Sequence, residues 1–98
     1  MSKILSLKEI NNDVTIEKME LIINLYEQGT LTKKEASKLA EHLLKKFKAF
    51  KPQKEKKEQY EFILDLCISL TTIKRAEERF EQHYLKSLKE ELVKAKKM

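Results

Sequence analysis

Seven lysines in thirteen residues, Lys45, Lys46, Lys48, Lys51, Lys54, Lys56 and Lys57, are the densest group of chemically capable side chains in this chain. Only Glu55 opposes them. A run of this kind neutralises phosphates by counterion release, which gives salt-sensitive and sequence-blind affinity. Residues 1–32 sum to −2, residues 33–57 to +7 and residues 58–98 to zero, so the positive charge is concentrated and not spread. Of 21 basic residues only Arg75 and Arg79 are arginine. The bidentate fork that reads guanine is therefore scarce, and base-specific recognition is disfavoured. Phe47 and Phe50 lie among the lysines, but their spacing assigns them to a core face. A plainer reading competes: a solvated connector and helix end, where cations meet the negative end of the helix dipole.

Other reactive groups do not assemble. His42 and His83 are the two imidazoles, and Glu77, Glu78, Glu81, Glu90 and Glu91 supply carboxylates. A dinuclear metal site in a helical bundle uses Glu-x-x-His pairs that project inward. Here Glu81-x-His83 and the adjacent Glu41-His42 put their side chains on different faces. One cysteine and two distant histidines cannot complete a four-ligand zinc site. Cys67 sits in the most apolar stretch, where a thiol acts as a small hydrophobe and not as a nucleophile. One glycine, Gly29, cannot build a phosphate-cradling loop. The expectation is a non-enzymatic protein with no metal and no cofactor.

The elements that position these groups follow from how rarely the chain is interrupted. Gly29 and Pro52 are its only glycine and proline, and these are the strongest local breakers of regular structure. Residues 1–14 hold a candidate capping box, Ser6 with Glu9, then a loop at Asn11 to Asp13, with Asp13 or Thr15 capping the next helix. Over 16–28, Ile16, Met19, Ile22, Ile23 and Tyr26 recur at helical spacing up to Gly29, a natural left-handed terminator. Thr32 and Glu35 form a second capping box, and Ala36, Leu39, Ala40, Leu43, Phe47 and Phe50 define the buried face of a helix over 33–50. So short a connection implies two antiparallel neighbours. Leu31 to Ala40 resembles the opening of a helix-turn-helix unit, but the helix runs on through His42 and Leu43 with no turn, which favours the hairpin.

Lys51 to Lys57 reads as a charged connector, and helix resumes near Glu55. From Tyr60 to Leu70 the chain is apolar on nearly all sides, as in a helix at the centre of a core. Alternation of Phe62, Leu64, Leu66, Ile68 and Leu70 also permits a strand, against which the helix-prone flanks and the lack of a partner strand argue. Ser69, Thr71 and Thr72 are poor helix formers, yet no capping box follows and the stripe stays in phase. One helix over 55–97, bent near 69–72, is the favoured reading. Unbroken, it would extend ~60–65 Å against ~20 and ~27 Å for the first two helices. Phe80, Tyr84, Leu88 and Leu92 would then form an uncovered ridge, the mark of an association surface. A break near Thr71 would instead let the last segment fold back and close an intramolecular four-helix bundle.

At 41% hydrophobic and 38% charged residues, the chain has enough apolar content to fold, with the composition of solvated helices. Its N-terminus lacks a signal-like apolar run and no stretch approaches the ~18–20 apolar residues of a membrane span, so a cytoplasmic, intracellular setting is expected. The resulting expectation is a single all-α domain over 1–98, a helical hairpin packed on a long C-terminal helix in a three- to four-helix bundle. Its leading role is a small interaction or regulatory protein that docks on a protein partner, by analogy with regulators encoded by phage and mobile elements. Self-association through the C-terminal ridge would accompany it. The alternative is a non-specific nucleic-acid-binding protein using Lys45 to Lys57.

Overall fold

Asn11 opens the first helix by accepting a 2.8 Å hydrogen bond from the Val14 amide, from an extended backbone at φ −154°. The computed structural model describes residues 10–98; the Ser6–Glu9 box lies outside them. Helix α1 (Asn12–Glu27) thus starts inside the expected loop at Asn11 to Asp13, about one turn before the expected start at Ile16. Asparagine serves as an N-cap as well as aspartate or serine does. Thr15, one of the expected caps, is instead fully buried, its hydroxyl donating to the Asn11 carbonyl at 2.7 Å.

Gly29 ends α1 as its chemistry requires. Its φ of +81° carries the chain into the left-handed region, and its amide donates to Tyr26 while the Thr30 amide donates to Leu25, at 3.0 and 2.9 Å. These two bonds satisfy carbonyls that the helix end would leave bare. Thr32 and Glu35 then close a reciprocal box, at 3.1 Å to the Glu35 amide and 2.9 Å to the Thr32 amide, and start α2 (Lys33–Ala49). After Phe50 and Pro52, a 3-10 turn at Lys54–Lys56 leads into α3 (Lys57–Thr71). Ile63, Leu66, Cys67 and Leu70 of α3 are buried, and α3 packs on α1, α2 and α4, the central place its apolar surface implied.

The expected continuous helix over 55–97 does not form. A 3-10 turn at Thr72–Arg75 follows α3, Ala76 and Glu77 are extended, and α4 (Glu78–Lys96) runs back antiparallel. The longest dimension of the molecule is 40 Å, well under the ~60–65 Å such a helix would need. Two physical terms decide this. Fold-back buries Leu85, Leu88 and Leu92, together worth about 5–9 kcal/mol against leaving them in water. The break forfeits three or four helical bonds of about 1 kcal/mol net each, and hydroxyls replace most of them. Thr71 and Thr72 donate to the carbonyls of Ile68 and Ser69 at 2.6 and 2.8 Å. Ser37 from α2 donates to the Thr71 carbonyl, and Tyr84 from α4 to that of Ser69. The poor helix formers at 69–72 are the residues that make the corner.

The result is an up-down-up-down bundle of four helices. Paired charges hold α1 against α4 in antiparallel register: Glu20 meets Lys96 at 2.7 Å, and seven residues along each helix Glu27 meets Lys89. Single exposed pairs contribute little. Their value here is in register, since the same offset recurs twice.

Candidate basic binding face

Antiparallel packing sends the C-terminal end of α2, the N-terminal end of α3, the first turn of α1 and the last turn of α4 to the same end of the bundle. The contacts that join them are polar. Asn12 of α1 donates through Nδ2 to the Lys56 carbonyl at 3.2 Å and to Gln59 Oε1 at 3.0 Å. Gln59 donates onward to the Ala95 carbonyl of α4 at 2.8 Å, and the Tyr60 hydroxyl donates to the Phe47 carbonyl at 3.1 Å. Asn12 and Gln59 are buried. Burial holds the Tyr60 hydroxyl above its ordinary value, with a smaller contribution from Cys67.

All seven lysines of the cluster are exposed on this end. Among the described residues none of them forms an ion pair, whereas Lys33, Lys74, Arg79, Lys89, Lys94 and Lys96 each meet a carboxylate. The structure therefore places the sequence-predicted patch Lys45, Lys46, Lys48, Lys51, Lys54, Lys56 and Lys57 at one end. Glu55 and Glu58, its neighbours in sequence, and Asp13, which lines the cleft there, form no ion pair with it among the described residues. Phe47 is fully buried, as its spacing implied. Its ring lies 4.5 Å from that of Tyr60 and 6.2 Å from that of Phe50, nearly parallel to the latter at 16°. Phe50 is only half-buried, and it lines a surface cleft of about 300 Å³ with Asn12, Lys51, Pro52, Lys56 and Gln59.

The predicted ridge is corrected. Leu88 and Leu92 are 4% and 0% exposed, covered by the chain itself because α4 folds back on α1 and α3. Tyr84 is half-buried, and its hydroxyl also lies 3.1 Å from that of Thr72. Of the four, Phe80 alone stays open, 55% exposed, with the Arg79 guanidinium 4.7 Å above its ring. An uncovered stripe from Phe80 to Leu92 does not exist on the protomer.

The far end of the bundle carries a polar lock. Tyr26 donates to Glu81 Oε1 at 2.6 Å, and Lys33 reaches the same oxygen at 2.8 Å and the Ala76 carbonyl at 3.0 Å. Burial works to raise the Glu81 carboxyl, but hydrogen bonds from Lys33 and Tyr26 and the lysine charge outweigh it and hold the carboxyl below the ordinary value. Tyr26 is pushed up to about 12 by burial and by the carboxylate beside it. The group ties the α1–α2 turn to the start of α4. Cys67 is buried with its sulfur 3.5 Å from Met19 Sδ, and burial pushes the thiol up to about 12. His42 and His83 are exposed on α2 and α4. Among the described residues no three His, Cys, Asp or Glu side chains are placed to hold a metal ion, and no helix is long and apolar enough to cross a membrane.

The buried amide relay from Asn12 through Gln59 has no local signature in the sequence. An asparagine in a first helical turn and a glutamine in a charged stretch both resemble solvated residues. Their pairing spans 47 positions, and only the α1–α3 packing creates it. No protein-family model, no curated protein and no solved structure matches this chain.

Proposed function

We propose that this chain is a non-enzymatic binding module that docks through its lysine end on a polyanionic macromolecule, with the phosphate backbone of a nucleic acid as the partner. The observation that carries this reading is the set of seven exposed lysines, on two helix ends and their connector, that form no ion pair among the described residues. Some cations elsewhere, such as Lys34 and Lys86, also stand unpaired among the described residues, but not in such density. Lysines serve a phosphate backbone as point charges that need no fixed hydrogen-bond geometry, and they suit sequence-blind binding.

Fluorescence anisotropy with labelled single-stranded and duplex oligonucleotides tests it. Binding should weaken as salt rises, with log K falling by about 0.7–0.9 per decade of salt for each phosphate neutralised. Charge reversal at Lys46, Lys48 and Lys56 together should abolish it without loss of helicity. Absence of binding to any nucleic acid at moderate salt would overturn the reading.

A second reading, docking on a protein partner as a regulator, draws on Phe80. Among the described residues it is the most exposed of the large apolar side chains at 55%, and Arg79 lies over it. Aromatic and arginine side chains are the usual anchors of protein interfaces. Affinity capture from the native host with the wild-type chain and with Phe80→Ser tests it: a partner retained equally by both would count against this knob.

A further inference from the structure

The cleft beside the lysines is lined by a residue with a polar atom that no donor among the described residues satisfies. Asn12 and Gln59 form its floor, 6% and 5% exposed. Asn12 Nδ2 faces two acceptors, the Lys56 carbonyl and Gln59 Oε1, and Gln59 Nε2 faces the Ala95 carbonyl. Those acceptors fix both amide orientations, because a flip of either would set oxygen against oxygen. Asn12 Oδ1 is left buried with no donor among the described residues. The nearby Lys56 amide cannot serve, since it already donates to the Gln53 carbonyl at 2.9 Å.

The walls and rim add two further chemistries. Phe50 and Pro52 supply apolar surface, and Phe50 is braced from behind by Phe47. Lys51 and Lys56 are exposed residues of its lining, and they outnumber the one carboxylate there, Asp13. At about 300 Å³ the cleft is at the small end of ligand pockets, which run from about 300 to 1,000 Å³. A ligand that fits must be flat on one face, carry an N–H donor on its edge, and bear phosphates within reach of the rim. A nucleotide unit has all three.

We infer that this cleft seats one unstacked base of a bound single strand. The inference rests on the nucleic-acid reading above and names the part of the strand that the lysines do not hold. The base lies against Phe50 and Pro52, its edge donor meets Asn12 Oδ1, and its flanking phosphates meet Lys51 and Lys56. Asn12 Oδ1 has under 1 Å² of accessible surface, so a neighbouring group must shift for the edge donor to reach it. Bases in single strands are open to such stacking and edge recognition, while those in a duplex are already stacked and paired.

The test uses the full chain and three labelled twelve-nucleotide probes: oligodeoxyadenylate, its duplex, and an abasic strand with the same phosphates. Loss of one base–aromatic contact typically weakens binding about 5- to 150-fold, so the adenylate strand should bind at least fivefold tighter than the abasic one. Phe50→Ala should bring that ratio towards one, and Pro52→Ala, outside any helix, should lower it in the same direction. Lys46→Glu should weaken all three probes alike. In nitrogen-edited NMR of the wild-type chain, the side-chain amide signals of Asn12 and Gln59 should shift with the adenylate strand and not with the abasic strand. Equal affinity for those two strands with both amides unmoved would overturn the base site and leave backbone binding intact. No binding of any probe would overturn both readings.

Discussion

Tyr84 on α4 donates its hydroxyl to the carbonyl of Ser69, in the last turn of α3. That bond joins the helix a linear reading would leave projecting into solvent to the corner where the chain turns. The side chain expected to greet a partner is a tie within the protomer. Its neighbours Leu88 and Leu92 are core residues for the same reason, and the consequences are measurable.

Leu88→Asp should prevent folding, since an unpaired carboxylate would sit where 4% of the leucine is exposed, and a buried polar group without partners costs several kcal/mol. Leu92→Ala should cost about 2–5 kcal/mol. Phe80→Ser, at an exposed site, should stay within about 0.5 kcal/mol of wild type. Circular dichroism with urea titration checks all three. A helical, dispersed Leu88→Asp protein would show that the ridge is not core.

Removal of the corner hydroxyls should loosen the break without abolishing the fold. Tyr84→Phe and Ser37→Ala each delete a donor to a carbonyl at the end of α3, worth about 0.5–1.5 kcal/mol apiece. For a chain of this size about 1 kcal/mol corresponds to a melting shift of about 4–8 °C. Ser37 is 1% exposed while Tyr84 is half-buried, and the Ser69 carbonyl keeps the Thr72 hydroxyl when that of Tyr84 is lost, so Ser37→Ala should be the costlier change.

Gly29→Ala tests the left-handed turn alone. A Cβ at Gly29 would meet nothing within 4 Å, so any loss comes from holding alanine at φ +81° and not from a clash. The expected cost is about 1–2 kcal/mol, and Gly29→Asn should recover part of it because asparagine tolerates that region. Equal melting temperatures for Gly29→Ala and wild type would contradict the assignment.

Stability should fall at both extremes of pH, for different groups. The Glu81 carboxyl is held below its ordinary value of 4.5 in the fold, so its contribution is present above that value and fades as pH falls through the folded one. Cys67 and Tyr26 are raised from 9.0 and 10.0 to about 12. Their contribution is complete below pH 9 and fades as pH rises towards 12, because the unfolded chain releases those protons first. Urea midpoints between pH 3 and 11 check this. Glu81→Gln should flatten the acid limb, and Tyr26→Phe should flatten part of the alkaline one.

Much of the architecture was legible because it is local. Gly29, the Thr32–Glu35 box and the apolar spacing of α1 and α2 each act within a few residues, so their outcome follows from neighbours on the chain. The N-cap is not legible at Asn11, because Asn11, Asn12, Asp13 and Thr15 compete for one position, and only the inward placement of Thr15 and Asn12 decides among them. Residues 69–72 read as a weak patch in the sequence; the Thr71 and Thr72 hydroxyls bond locally, but the donors from Ser37 and Tyr84 come only with tertiary packing.

By itself, the sequence determined that the chain is helical, where its first hairpin turns and that its lysines cluster. Helix propensity, capping and charge content are properties of residues close in the chain. Tertiary structure alone decided that 55–97 breaks, that Leu88 and Leu92 turn inward, and that Asn12 meets Gln59 beneath Phe50. The first two depend on a long-range comparison between burying three leucines of α4 and keeping one continuous helix, and the third on the packing of α1 against α3. Spacing along the chain registers the apolar stripe identically whichever side of that comparison prevails.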